Sequence, residues 1–362
     1  MKKIYIVDLI GAYCGMHYYD NAFKSLLEQY QYTTRILSNY KDKQCQSTFF
    51  PIIFGKNTIC SISLLIISYI KFIIYLLTHK GTFIYLSYGE KYDIPFLFLG
   101  LFSKKIIIDI HEVYALKYTE QHIISKIIKL LYKYVIKSII YHSSRTLNNL
   151  QNINYKGNKI FIKHFDYNFP QKYNISNIAK DVQNTYQTNK LKFLFFGNLS
   201  IVKGIDIIIK VFSHLKKSDL DKVELVIAGK NVDAINFDYL KKISNSIHVI
   251  DRHINDDELI YLYQHTDFIL LPYRKSSQSG IAAMGIYFQK PMIFSKLPYF
   301  EEIIKQCPPN SIVVDLEKYG NYILCLIKKT NDKKELSSNL NVTLNTEEQY
   351  KQFIIQLAQL IK

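Results

Sequence analysis

Residues Leu271–Ile293 read LPYRKSSQSGIAAMGIYFQKPMI and hold a strand end, a basic loop and a helix start in succession. The preceding run Asp267–Leu271 is short and apolar and stops at Pro272, which is typical of a buried parallel strand. Small and apolar residues after Ser279 predict a buried helix with Ser279 as its N-cap. Free backbone N–H groups and the positive end of the helix dipole then meet at Ser279 and Gly280, which favours an anion. An ordinary strand-to-helix turn has the same pattern, so this stretch alone does not establish an anion site.

A second turn of the same kind lies upstream. Leu194–Phe196 is a buried-strand run that leads into Gly197 and Asn198, and an apolar-periodic helix follows Gly204. Lys203 lies just before that helix, where its ammonium group can reach a phosphate held at the neighbouring turn. The segment is not a P-loop, because the spacing Gly-x4-Gly-Lys-Ser/Thr is absent.

Five strings occur in order within residues 192–303: FFGNLSIVKGID, LVIAGK, DRHINDDELIYLYQHTDFILLPY, SSQSG and KPMI. As a set they resemble the C-terminal domain of GT-B glycosyltransferases, specifically the large retaining family 4 and its branch of bacterial surface-polysaccharide transferases. Three positions depart from that resemblance. Ser276 and Met284 stand where the family commonly has two glutamates, and Ser200 stands where it frequently has an arginine. These departures leave open how the donor sugar is held.

The resemblance implies an α/β fold with two doubly wound, Rossmann-like domains facing a cleft, the GT-B arrangement. We expect an N-terminal acceptor-side domain over residues 1–170, an interdomain connection over 171–190, and a nucleotide-sugar-binding domain over 191–345. A C-terminal helix over 346–362 is expected to pack back toward the N-terminal domain. The alternation of strand-like and helical patterns predicts parallel sheets, and a chain of 362 residues with 48% hydrophobic residues is long enough for two cores.

Positive charge is concentrated in the first half of the chain. Of the formal net charge of +16, Met1–Lys180 contributes most, with 23 Lys and Arg against 10 Asp and Glu. Nucleic acid, an anionic membrane and acidic substrates all suit such a field. No recognised nucleic-acid-binding motif is present, so we expect no nucleic acid partner. The five cysteines are scattered without paired spacing, which indicates a reducing, cytoplasmic compartment and argues against structural zinc or disulfides.

Two places in the first half carry candidate site residues. Gly15 and Met16 lie in a glycine-containing turn between the first strand-like run and the first helix pattern. His111 and Glu112 follow the buried-strand run Lys105–Ile110, at a strand carboxyl end where doubly wound sheets place their chemistry. The alternative is that His111 only hydrogen-bonds the backbone of a loop, which is the usual role of a lone histidine. The resemblance implies that all four residues line the cleft and that His111 faces the donor sugar or the acceptor, as a catalytic residue.

The activity implied by the resemblance is the retaining transfer of a hexose from a nucleoside diphosphate sugar to a glycan or lipid-linked acceptor. Negative charge develops on the leaving diphosphate, so fixed positive donors around it stabilise the transition state. Lys203 and the N–H groups at Ser279–Gly280 are our candidates for these donors. The further donor-binding residues that we expect are Gly197, Asn198, Gly229 and Arg252. No Asp-x-Asp ends a strand of the second half, so we expect neither a metal nor another cofactor.

A row of lysines predicts contact with a membrane. Lys126, Lys129, Lys133 and Lys137 are spaced three, four and four residues apart, so they share one stripe of a helix predicted within Glu120–Ile140. A plain surface helix with its lysines in water is the alternative. Because the first half is basic and the resemblance implies a lipid-linked acceptor, we predict peripheral binding to the anionic inner face of the cell membrane.

The most apolar segment of the chain is Ile59–Leu77, which also contains serines, a tyrosine and a lysine. Strand-like runs follow it and need a connecting helix before them. We therefore interpret this segment as a buried crossover helix, and a membrane span is the minority interpretation.

Two other kinds of protein fit parts of the sequence. Because both family glutamates are absent, the chain is alternatively a catalytically silent GT-B nucleotide-binding or scaffold protein in a membrane-associated glycan assembly complex. A nucleotide-sugar epimerase of GT-B fold is a further alternative that the sequence excludes poorly.

Overall fold

The computed structural model describes residues 2–12, 15–41, 48–53, 56–103, 105–115, 117–162, 172–276, 278–329 and 346–361. The chain forms two compact units, which are Met1–Asp166 with Asn345–Lys362, and Tyr167–Leu344. The domain boundaries expected near residues 170 and 345 fall on residues outside the described ranges.

The described part of the first unit contains a parallel sheet of six strands in the order β2-β1-β3-β4-β5-β6. The strands are β1 (Lys3–Asp8), β2 (Thr33–Ser38), β3 (Thr82–Ser87), β4 (Ile106–Ile110), β5 (Ser138–Tyr141) and β6 (Asn158–Phe161). The helices between them are α1 (Met16–Gln29), α2 (Thr58–Thr78), α3 (Ile94–Phe98), α4 (Ile123–Tyr134) and α5 (Ser144–Asn152).

The two faces of this sheet pack against different helices. Side chains alternate along a strand, so Ile108 lies on one face and Asp109 on the other. Ile108 belongs to a core that also contains residues of four helices: Phe72 of α2, Phe96 of α3, Ile128 of α4 and Leu150 of α5. Asp109 instead accepts a hydrogen bond from Tyr19 of α1. Helices α2 to α5 therefore form one layer, and α1 lies on the opposite face.

Helix α2 is not the buried helix that its composition predicts. Its buried residues are Ser68, Phe72 and Leu76, which face the sheet. By length and composition α2 is the one helix of the described residues that could cross a membrane. It instead connects two strands of one sheet and packs on that sheet, so it does not act as a span. Because α2 is apolar on both sides, its sequence lacks the contrast that distinguishes an exposed face from a buried one.

The lysine-bearing helix is shorter than the sequence predicts. Helix α4 ends at Tyr134, and β5 begins at Ser138. Lys126, Lys129 and Lys133 lie on α4, whereas Lys137 lies beyond its end. The chain turns because Val135 and Ile136, although they continue the apolar pattern, are buried between the helix and the strand. The predicted stripe of four lysines is therefore a stripe of three.

The described part of the second unit contains another parallel sheet of six strands, in the order β12-β11-β10-β7-β8-β9. The strands are β7 (Leu191–Phe196), β8 (Val223–Gly229), β9 (Ile247–Asp251), β10 (Phe268–Leu271), β11 (Met292–Ser295) and β12 (Ile312–Val314). The helices are α6 (Lys180–Gln183), α7 (Ile205–Ser213), α8 (Lys217–Leu220), α9 (Asp238–Ile243), α10 (Asp256–His265), α11 (Gly280–Tyr287), α12 (Pro298–Ile303) and α13 (Tyr319–Lys329). The two sheets confirm the predicted pair of doubly wound α/β domains.

The last helix, α14 (Thr346–Leu360), belongs to the first unit. The ring of its Phe353 lies 5.9 Å from that of Phe23 on α1. Phe353 and Leu357 are buried, so α14 packs on the α1 side of the first sheet.

The described residues 172–190, which we expected to connect the domains, belong to the second unit. The backbone amides of this segment donate hydrogen bonds to carboxylates of the second sheet and of α10. The amide of Ala179 donates to Glu258 at 3.1 Å, and that of Tyr186 donates to Glu224 at 2.6 Å. Polar contacts rather than a long apolar stripe hold this segment in place, which is why its sequence shows no periodicity.

The ion pair between this segment and α10 can be tested by mutation. Arg252 donates to both carboxylate oxygens of Glu258 at 2.8 Å and to both of Asp181 at 3.1 and 2.7 Å. Glu258 is only 1% exposed, so Arg252→Met leaves a buried carboxylate without its cation. We expect a loss of roughly 3 kcal/mol in the free energy of unfolding, measured by urea denaturation.

The matched control is Arg274→Met, which breaks the ion pair with Asp206. Both of those side chains are more than a third exposed, so the expected loss is about 1 kcal/mol or less. Equal losses in the two variants would contradict the structural role of Arg252.

Candidate functional site

Strands β7 and β10 are neighbours where the strand order of the second sheet reverses. From β7 the chain moves outward through β8 and β9, returns past β7 to β10, and then moves outward on the other side through β11 and β12. The connections that follow β7 and β10 therefore diverge from each other. Doubly wound sheets bind their ligands in the crevice at such a switch point.

Direct contacts hold the turns after β7 and β10 together. The amide of Arg274 donates to the carbonyl of Val202 at 2.9 Å. Gly204 is the N-cap of α7 and has φ +77°, and a Cβ there would lie 2.0 Å from the carbonyl oxygen of Pro272. The Lys203 ammonium lies 3.8 Å from the centroid of the Tyr273 ring. The structure thus places the lysine of the first turn against the second turn.

The second turn ends at the N-terminus of α11. Ser279 is the N-cap, and its hydroxyl accepts a hydrogen bond from the Ala282 amide at 3.2 Å. Gly280 is the first helical residue. Burial raises the pKa of Tyr273, and a contact of its side chain with Ser279 opposes that rise. Lys203, Tyr273 and Ser279 therefore form a continuous line from an ammonium group to a helix N-terminus, an arrangement that suits a diphosphate.

The predicted glycines serve the packing of neighbouring turns. Gly197 and Gly229 have φ angles of +110° and +140°. A Cβ on Gly229 would lie 1.8 Å from the carbonyl oxygen of Gly197, so the two backbones meet directly. Asn198 follows in the same turn and is exposed.

Arg252, which we predict to bind the donor, is also engaged within its own domain. Besides its bonds to two carboxylates, its guanidinium donates to the carbonyl of His253 at 3.0 Å. These carboxylates raise the pKa of Arg252, and Glu258 has the larger effect. The sequence did not show this role because Glu258 also completes a capping box with Asn255, which is sufficient reason for a glutamate at a helix start.

Polar side chains end the strands of the first sheet at its carboxyl edge. They are Asp8 of β1, Ser38 and Asn39 at the end of β2, Ser87 and Tyr88 at the end of β3, His111 after β4 and His142 after β5. The order of this sheet reverses between β1 and β3, so this edge too has a switch point.

His111 is buried among aromatic rings at this edge. It stacks on Tyr88 at 5.3 Å and meets the edge of Tyr19 at 4.6 Å. Its Nε2 lies 4.0 Å from a carboxylate oxygen of Asp109, which also accepts a 2.6 Å hydrogen bond from Tyr19. Burial alone would raise the pKa of Asp109, but pairing with His142 and the nearby His111 lowers the pKa overall.

Asp109, His111 and His142 place three potential metal-ligand atoms within 4.8 Å of one another. However, Nε2 of His142 and Oδ1 of Asp109 are 2.6 Å apart, a hydrogen-bond distance. Two ligand atoms of one ion lie roughly 3 Å or more apart at the usual bond lengths. The other ring nitrogen of His142 bonds the carbonyl of Ile162 at 2.9 Å. We therefore interpret the cluster as a hydrogen-bonded network around His111.

Two buried carboxylates near this network were not anticipated from the sequence. Burial raises the pKa of Asp8 to about 6. Burial and the charge of Asp8 raise the pKa of Asp20 well above its ordinary value. Asp8 accepts a hydrogen bond from the Ile10 amide, and Asp20 accepts one from the Tyr40 hydroxyl. Both carboxyl groups therefore take up a proton more readily than exposed aspartates as the pH falls. The sequence feature that indicates this pair is Asp8 itself, because it is a carboxylate at the end of an apolar strand.

The other predicted residues of the first unit lie close to the same edge. Gly15 is the N-cap of α1 and has φ +71°, and Met16 is the first, buried residue of that helix. Glu112 follows His111 and is half-buried. Its backbone amide bonds the carbonyl of Ser87 at the end of β3.

Residues 176–356 match the family of glycosyl transferases group 1. The chain belongs to this family. Among curated proteins, none matches the chain significantly in sequence.

Three solved structures show how the fold of this group 1 glycosyl transferase compares with others. The catalytic domain of starch synthase IV from Arabidopsis thaliana, bound to ADP and acarbose, superposes with a TM-score of 0.69 at 10% identity, over 100% of this chain and 99% of that domain. WaaG, a glycosyltransferase involved in lipopolysaccharide biosynthesis, gives 0.67 at 11% identity over 100% of both chains. HepE of Anabaena, in complex with UDP and glucose, gives 0.61 at 14% identity over 99% and 98%. At these identities the likeness shows the fold, which is GT-B.

Three positions of this glycosyl transferase differ from the pattern that its sequence resembles. Ser276 is buried, and its hydroxyl donates to the carbonyl of Gln278 at 2.8 Å. Met284 is a buried residue of α11. Ser200 accepts a hydrogen bond from the Lys203 amide at 3.3 Å. Ser276 and Ser200 thus support the local fold of the two turns, whereas Met284 packs within α11.

The close approach of the two turns predicts a large effect for a small substitution. Gly204→Ala adds a methyl group that overlaps the Pro272 carbonyl oxygen, in a left-handed conformation that itself costs a non-glycine residue about 1–2 kcal/mol. We expect the free energy of unfolding to fall by about 3 kcal/mol or more, measured by urea denaturation.

The control is Gly197→Ala, also at positive φ. Its Cβ would meet only the end of the Ile281 side chain, at 3.2 Å, so the loss should be clearly smaller. If Gly197→Ala loses as much stability as Gly204→Ala, then backbone strain alone, and not contact between the turns, explains why alanine is not tolerated at these two positions.

Proposed function

We propose that the chain is a retaining glycosyltransferase of the family 4 type that transfers a hexose from a nucleoside diphosphate sugar. The observation that carries this proposal is the line of Lys203, Tyr273 and Ser279 at the switch point of the second sheet. Membership of a glycosyl transferase family and likeness to a UDP-bound structure support it. Likeness to WaaG supports a glycan or lipid-linked acceptor and a role in bacterial surface polysaccharide synthesis.

Two positive groups would stabilise the leaving diphosphate in this proposal. Lys203 supplies a full charge, and the N–H groups at the start of α11 supply hydrogen bonds and the positive end of the helix dipole. Tyr273 holds the Lys203 ammonium in place over its ring, which reduces the reorganisation that binding requires. Gly197, Asn198 and Gly280 would border the nucleotide.

A metal ion has no required step in this proposal. Asp257 and Glu258 are two of the three carboxylates in the first turn of α10, and both already bind residues of the segment 172–190. They support the fold of the second unit. Lys203 and the helix dipole would take the part that a divalent cation plays in other transferases.

His111 is our candidate for the group that contacts the donor sugar or the acceptor hydroxyl. The adjacent Asp109 carboxylate has a lowered pKa and so stays ionised at neutral pH. A carboxylate 4.0 Å away would favour a positive charge on His111 as it accepts a proton. Gly15, Met16 and Glu112 would line the acceptor side of this first-unit site.

We also propose that the first unit binds the anionic inner face of the cell membrane. Lys126 and Lys133 are exposed on α4, and α4 contains no acidic residue. Lys129 is partly engaged, because it lies 3.4 Å from Glu120. Lys137 follows the helix and is exposed. Each lysine at an anionic surface contributes about 1 kcal/mol, which salt reduces.

The test of the function is an assay of sugar transfer from UDP-, GDP-, ADP- and TDP-sugars, with hydrolysis as the readout in the absence of an acceptor. We expect turnover of at least one donor, unchanged activity in excess EDTA, and a product that keeps the anomeric configuration of the donor. Abolition by EDTA with rescue by manganese, or an inverted product, would overturn the mechanism. Nucleotide binding without any turnover would favour the silent scaffold.

The same assay tests the site. Lys203→Ala removes a charge-assisted bond of roughly 1.5–3 kcal/mol, so kcat/KM should fall by about 10- to 100-fold. Lys210→Ala, on the exposed side of α7, is the matched control and should behave as the wild type. Unchanged kcat/KM in Lys203→Ala would remove the lysine from the site.

A further inference from the structure

The outer side of α2 is a continuous apolar surface, which we call the isoleucine face. Its members are between 51% and 80% exposed: Ile59, Ile62, Ile66, Ile67, Ile70, Ile74 and Leu77. Most of them recur every three or four residues, so they lie along one side of the helix, opposite the side that Phe72 buries. Exposed hydrophobic residues are ordinary one at a time, but a row of seven along one helix marks an interaction surface.

Neighbouring helices extend this surface. The end of α3 and the turn after it expose Phe98, Leu101 and Phe102 by 45%, 50% and 80%. Helix α4 exposes Ile123, Leu130 and Tyr134 by 62%, 55% and 69%. Because α2, α3 and α4 pack on one face of the first sheet, their outer sides belong to the same side of that unit.

The charges of this helical layer are all positive. Helices α2, α3, α4 and α5 contain no Asp or Glu. Lys71 is exposed at the margin of the isoleucine face, and α4 adds the exposed Lys126 and Lys133. Glu120, which precedes α4 and pairs with Lys129, is an acidic exception at this margin. Apolar side chains with a mainly cationic margin match the interface of an anionic bilayer, where acyl chains meet phosphate groups. Two copies of this surface would oppose like charges across a two-fold interface, which disfavours self-association.

We propose that the isoleucine face inserts into the interfacial layer of an anionic bilayer, with α2 lying parallel to the membrane plane. Phe72 and Leu76 keep the opposite side of α2 in the core of the first unit, so insertion is limited to one side of the helix. The inference deepens the membrane contact proposed above and rests on it for the choice of lipid. It assigns the apolar anchor to α2, whereas the lysines of α4 provide the charge.

A single tryptophan can report the insertion, because the chain has none. Ile66→Trp places the reporter on the isoleucine face. Ile355→Trp is the control, because Ile355 is similarly exposed at 52% but lies on α14, on the α1 side of the same unit. With vesicles of phosphatidylglycerol and phosphatidylcholine, we expect a blue shift and quenching by bromine-labelled acyl chains for Ile66→Trp alone. No change at Ile66→Trp, or equal changes in both variants, would overturn the proposal.

Vesicle co-sedimentation separates the apolar anchor from the charge. The triple variant Ile66→Gln, Ile70→Gln and Ile74→Gln should fold normally, because these side chains are exposed and glutamine favours helix at least as well as isoleucine. We expect it to bind anionic vesicles at least tenfold more weakly and to lose its remaining binding in high salt. Its hydrolysis of nucleotide sugars in solution should match the wild type. The lysine variant, in which Lys126, Lys129, Lys133 and Lys137 become Gln, should keep a salt-resistant part of the binding.

The outcomes distinguish this inference from the proposed function. If the triple variant binds vesicles as tightly as the wild type while the lysine variant loses binding, insertion of the isoleucine face is overturned and only the electrostatic contact remains. No vesicle binding by the wild-type protein would overturn both membrane contacts and leave sugar transfer untouched. A lipid-free dimer that the triple variant converts to a monomer would show that a second copy covers α2, which also overturns the proposal.

Discussion

Contact between the turns after β7 and β10 is the constraint on which the candidate donor site depends. Gly204 brings the start of α7 against the carbonyl of Pro272, at a distance that admits no side chain. That approach places Lys203 on the ring of Tyr273, whose side chain also contacts the N-cap of α11. An ammonium group and a helix N-terminus thus share one crevice because two parallel strands are neighbours at a switch point.

Several charged residues near the carboxyl edges of the two sheets have a role in the fold. Arg252 and Arg274, the two arginines near the second sheet's carboxyl edge, are bound to carboxylates of their own domain. Asp257 and Glu258 at the start of α10 hold the segment 172–190. In the first sheet, Asp109 is paired with His142, which leaves His111 in a polarised, aromatic environment. Function is therefore better assigned from the contacts of a charged residue than from its position at a strand end.

The sequence correctly predicted those features of the structure that depend on residues close to one another in the chain. The buried strands β7 and β10, the N-cap Ser279 and the polar strand ends near His111 could all be recognised, because apolar runs and capping depend on neighbouring residues. Other features depend on partners far along the chain. The exposed side of α2, the early end of α4 and the capture of Arg252 by Asp181 were missed, since no short window contains the sheet or the carboxylate that decides them.

Amide hydrogen exchange, with and without UDP, GDP, ADP and TDP, tests the location of the donor site most directly. With the nucleotide that binds, we expect slower exchange in peptides that cover residues 197–206 and 278–284, the two turns that meet at Lys203 and Ser279. Exchange in α2 should not change, because that helix is assigned to the membrane and not to the nucleotide. Protection confined to other segments, with none at the two turns, would contradict the assignment of the diphosphate to this crevice.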